Sequence, residues 1–66
     1  MIDPWKKAEE CEQALAKCTD QEQRQVLINL QELWIAVGNE KAAGTPTWQN
    51  NLEYAAKLHN GILPDS

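Results

Sequence analysis

Apolar residues recur along this chain at steps of three and four, the period of a helix that buries one face. Trp5, Ala8, Cys11, Leu15 and Cys18 form the first such stripe, while Lys6, Glu9, Glu10, Gln13 and Lys17 fall off it. Ahead of it stand Asp3, an acidic N-cap candidate, and Pro4, whose missing N–H costs nothing in a first turn. A first helix is predicted from about Pro4 to Cys18. Thr19-Asp20-Gln21-Glu22 then has the form of a capping box, in which the threonine hydroxyl takes the N–H three residues on and the glutamate reaches back. This predicts a second helix capped by Thr19 and running from about Asp20 to Ala43, because the firm stop signals come only at Gly44 and Pro46. Gly38 lies inside that span and costs about 1 kcal/mol relative to alanine; an end at Gly38-Asn39 is the alternative.

Thr45-Pro46 repeats the cap-and-proline arrangement, with Thr47 as a competing cap, and Trp48, Leu52, Ala55, Ala56 and His59 follow with helical spacing. A third helix is predicted from about Pro46 or Trp48 to His59 or Asn60. Asn60-Gly61 offers a left-handed C-cap, with Ile62 and Leu63 folding back and residues 64–66 frayed. No alternating run of β-branched and aromatic residues remains from which a sheet could be built. The predicted fold is an all-α three-helix bundle over a single domain, helix 2 longest and central.

Within helix 2, Val26, Leu27, Leu30, Leu33, Trp34 and Val37 cover a sector about 120° wide, the width expected of a helix flanked by two others. The three tryptophans fall one to each helix and are expected to meet, giving an expected core of Trp5, Leu15, Leu30, Trp34, Trp48 and Leu52. Ile28 and Ile35 project from the other side of helix 2, with Gln31 and Arg24 near them. This second apolar stripe is either ordinary surface, partly covered by a third helix, or a seam for a partner or a second copy of the chain.

Ten Asp and Glu against six Lys and Arg give a net charge of −4, which leaves no net attraction for phosphate and argues against nucleic-acid partners. The longest apolar run is Leu33 to Val37, far short of the roughly 20 residues of a membrane span, and no basic start with an apolar stretch marks a signal peptide. A soluble, cytoplasmic protein is expected. Cys11 and Cys18, seven apart on one helix, lie about 10.5 Å apart along its axis, beyond disulfide reach, and they lack the spacing of a metal knuckle or a redox pair. His59 shares the stripe of Trp48, Leu52 and Ala55, so an interior or boundary imidazole accounts for it, and Glu9, Glu10 and Glu12 read as a solvated acidic face. No phosphate loop, nucleophile elbow or metal-binding histidine pair is present, so neither a cofactor nor an enzymatic activity is expected.

Trp5-x-x-Ala8-x-x-Cys11, Thr19-Asp20-x-Glu22 and Leu30-x-x-Leu33-Trp34-Ile35-x-x-x-Asn39-Glu40 together resemble short uncharacterised helical proteins abundant in alphaproteobacteria. The likeness covers about two thirds of the chain and implies a helical fold in a bacterial cytosolic protein, with no functional residues to carry over. Gly38 departs from that pattern, where an alanine would suit, and leaves the continuity of helix 2 open.

The leading expectation is a small helical protein–protein interaction module, homodimeric or docking on a larger partner, with helix 2 supplying contacts through Ile28, Gln31 and Ile35. The alternative is a small-molecule or stress-response binding protein whose tryptophans and His59 line a pocket between helices. A helix-turn-helix regulator stands behind both, because the acidic balance opposes it.

Overall fold

The computed structural model describes residues 2–63. The predicted frayed tail at 64–66 lies outside them. Three helices follow one another, α1 (Pro4–Lys17), α2 (Gln21–Ala43) and α3 (Trp48–Ile62), with no strand among the described residues. α2 contacts both of the others, making a three-helix bundle with the longest helix in the middle. Its 23 residues, about 34 Å at helical rise, account for the long axis of a body measuring 37 × 18 × 16 Å.

Local chemistry sets the ends. The Asp3 carboxylate accepts the Trp5 N–H, and Pro4 follows at the first helical position. At α2 the cap is Asp20 and not the expected Thr19: its carboxylate takes the Gln23 N–H at 3.1 Å, because a full negative charge at a helix N-terminus is favoured over a hydroxyl. The C-terminus of α1 is closed by Arg24, which donates to the carbonyls of Leu15 at 2.7 Å and Cys18 at 2.9 Å. Gly44, with φ 77°, ends α2 in the left-handed conformation and donates to the Glu40 and Lys41 carbonyls. The expected left-handed cap at Asn60-Gly61 is not formed. α3 continues through Gly61 because Ile62 and Leu63 reach the core from one turn further on.

α1 and α3 both run antiparallel to α2. Trp5 lies beside Gly38 while Arg24 caps the other end of α1, and Asn51 donates to Glu40 at 2.7 Å while His59 meets Trp34. The buried apolar side chains are Pro4, Ala8 and Cys11 of α1, Leu27, Leu30, Trp34 and Val37 of α2, and Ala55 of α3. Ile2, Leu33, Leu52, Ala56, Ile62 and Leu63 pack around the cluster formed by Ala8, Cys11, Leu30, Trp34, Val37 and Ala55.

Of the expected core, Leu30 and Trp34 are buried, whereas Leu15, Trp48 and Leu52 are half-buried. Trp5 is the clear departure at 49% exposed. Small residues, Ala8 and Cys11, fill the interior side of α1, and the Trp5 indole packs against α2 at Gly38 with half of its surface left exposed. The tryptophans do not converge: Trp34 is in the core, Trp5 covers Gly38, and Trp48 sits beneath the Lys41 ammonium, 5.4 Å from its ring centre. Gly38 does not interrupt α2. Val26, assigned to the core sector from the sequence, is 38% exposed, because neither neighbouring helix reaches the far edge of that sector.

Candidate functional site

Two features rise above packing. The first is a polar chain that runs from the core to the surface. Trp34 is fully buried and donates its indole N–H to His59 Nδ1 at 3.1 Å, the two rings meeting edge-on. An indole nitrogen only donates, so Nδ1 carries a lone pair and the ring proton sits on Nε2. Nε2 lies 3.1 Å from Glu10 Oε1 and therefore donates to it, and the Lys7 ammonium approaches the same oxygen at 3.5 Å. Each helix supplies one member: Glu10 from α1, Trp34 from α2, His59 from α3.

Burial, and then the nearby Lys7 charge, lower the His59 pKa from its ordinary value, against the opposing pull of Glu10. The imidazole is thus neutral near pH 7, and the contact with Glu10 is a charge-assisted hydrogen bond and not an ion pair. Both ring nitrogens are engaged within the protein, which leaves His59 no polar atom with which to hold a ligand. His59 is buried, as its stripe leads one to expect, and Glu10 does lie on the exposed face; what the helical period of α1 does not reveal is that its carboxylate reaches His59 from there.

The second feature is an apolar groove between α2 and α3, about 400 Å³, lined by Val26, Asn29, Leu30, Leu33, Tyr54, Leu58 and Ile62. Tyr54 is 59% exposed and Leu58 38%. No carboxylate, ammonium or guanidinium lines it, although charged residues make up 24% of the chain. Tyr54 and Leu58 lie off the Trp48–His59 stripe and so are not among the expected contact residues. The missed signal is the i, i+4 run Tyr54, Leu58, Ile62, standing opposite Val26 and Leu33, which are seven apart on α2.

The Ile28/Ile35 stripe lies on the other side of α2, along α1. Gln31, between them, is half-buried and donates to Glu12 of α1 at 3.4 Å; Ile28 is half-buried, and Ile35 is 37% exposed. A smaller depression of about 190 Å³, lined by Ile2, Trp48, Gln49, Leu52 and Glu53, falls below the usual 300–1,000 Å³ of a small-molecule site. Cys11 is buried, its thiol pushed up to about 11 by burial and the Glu10 charge, and Cys18 is half-buried; both are free thiols. No three His, Cys, Asp or Glu side chains converge as metal ligands among the described residues, and no helix there is long and apolar enough to cross a membrane. No protein family matches the chain, and neither does any curated protein or solved structure.

Proposed function

We propose that this chain is a small helical protein–protein interaction module whose docking surface is the α2–α3 groove and whose occupant is a second copy of the chain. The observation that carries the reading is the concentration of exposed Val26, Tyr54 and Leu58 in one groove with no charged lining. Interfaces have this signature at their centre, aromatic and apolar with charge excluded. The uncharged lining lets two chains that each carry −4 meet without placing like charges in direct contact. Stability favours it too, since the buried apolar side chains outside α2 are small, Pro4, Ala8, Cys11 and Ala55, and chains this short commonly complete their cores by association.

Sedimentation equilibrium tests the reading. The wild type is expected to be a dimer between micromolar and millimolar concentration, and Val26→Glu/Leu58→Glu a folded monomer, since both sites are already more than a third exposed. Ile28→Glu/Ile35→Glu should leave the dimer intact. A wild type that stays monomeric at millimolar concentration removes the second copy as occupant. Dissociation by the isoleucine pair alone would move the seam to the α1 side of α2.

A further inference from the structure

α3 is held less firmly than α1, since Leu52, Ala56 and Ile62 pack against the core only half-buried. Its buried residues are Ala55, which offers one methyl group, and His59. α1, by contrast, buries Pro4, Ala8 and Cys11 and has its end capped by Arg24 from α2. His59 is also the buried polar residue through which α3 reaches both other helices, by one hydrogen bond to each.

We propose that the Trp34–His59–Glu10 chain is a proton-sensitive latch that holds α3 on the α1–α2 hairpin and releases it when His59 takes up a second proton. The geometry makes protonation a conflict. A proton can be added only at Nδ1, the atom that accepts the Trp34 N–H, so imidazolium sets two donors against each other 3.1 Å apart. Trp34 is fully buried, and its N–H has no water to turn to. The charged groups acting on the ring both come from α1: Glu10 favours the imidazolium and Lys7 opposes it, while α2 faces it with the uncharged Trp34. The Cys11 thiol beside Glu10 stays neutral throughout the range concerned. Burial adds to the conflict, because it disfavours the charged ring whatever its partners. The latch is a property of the single chain and does not rest on the docking reading. If both hold, release of α3 also withdraws Tyr54, Leu58 and Ile62, one wall of the groove.

Amide hydrogen exchange followed by NMR from about pH 7.5 to about pH 5 tests this, expressed as protection factors so that the intrinsic pH dependence of exchange divides out. α3 protection is expected to fall, by at most about tenfold per pH unit for one proton, while the α1–α2 hairpin amides keep theirs better. The Trp34 indole N–H should lose protection together with α3. His59→Asn supplies a carboxamide oxygen for the Trp34 N–H and has no titration in this range, so its α3 protection should be nearly flat. Glu10→Gln, which removes the charge favouring imidazolium and keeps an acceptor for Nε2–H, should move the wild-type transition to lower pH, and this variant decides the matter should His59→Asn not fold. The proposal is overturned by pH-independent α3 protection in the wild type, by a hairpin that loses as much as α3, by a His59→Asn response equal to the wild type, or by a Glu10→Gln transition that stays in place.

Discussion

The indole of Trp5 occupies the space that a side chain at position 38 would take. A Cβ on Gly38 would stand 2.6 Å from Trp5 Cε2 and 2.8 Å from Cζ2. The glycine inside α2 is thus a landing surface for a tryptophan from α1, not a weak point in the helix. Half of the Trp5 surface is covered, with the indole set where the helix backbone is bare.

This pairing predicts a sign reversal. In the wild type, Gly38→Ala should destabilise by about 1 kcal/mol, because displacing the indole gives up contact worth about 2 kcal/mol against a helix-propensity gain of about 1. In a Trp5→Ala background the same change should stabilise by up to about 1 kcal/mol. A double-mutant cycle by urea denaturation measures the coupling, and equal effects in both backgrounds would show that the two residues do not meet.

Trp34 combines complete burial with a hydrogen bond, and two substitutions separate these contributions. Trp34→Ala should cost about 3–5 kcal/mol, enough to unfold a domain of this size. Trp34→Phe keeps an aromatic ring in place but leaves His59 Nδ1 without its donor, and should cost about 1–3 kcal/mol beyond the change in volume. Unchanged melting in Trp34→Ala would contradict the core described above.

The lowered His59 pKa fixes the sign of a pH effect on global stability. The unfolded chain binds this proton near the ordinary value of 6.5 and the folded chain only at lower pH, so between those values the unfolded state holds more protons. The His59 contribution is therefore complete above pH 6.5 and is lost as pH falls through the folded value. Urea midpoints should decline as pH drops below 6.5 in the wild type, and decline less in His59→Asn.

The two thiols should differ in reactivity. With Cys11 buried and its pKa pushed up to about 11, iodoacetamide at neutral pH should label Cys18 first and reach Cys11 only on unfolding. Peptide mass spectrometry after a timed pulse reads this directly, and equal labelling of both would mean that α1 does not shelter Cys11.

The sequence by itself determined the number of helices, their order and nearly all their ends, because caps, prolines and the Gly44 stop act within a few residues of where they stand. It also placed Leu30 and Trp34 on the central face, since a period of 3.6 is a local property. Where two local signals competed, it misjudged by a residue, choosing Thr19 over Asp20. Tertiary structure decided the rest. Glu10 looks no different from Glu9 or Glu12 until α3 brings His59 opposite it, and Val26 belongs to the core sector until two flanking helices prove too narrow to cover that edge. Gly38 reads as a helix weakness until a tryptophan thirty-three positions away needs its missing Cβ. In each case the deciding contact joins residues far apart in the chain, and helical periodicity records which way a side chain points but not which neighbour meets it.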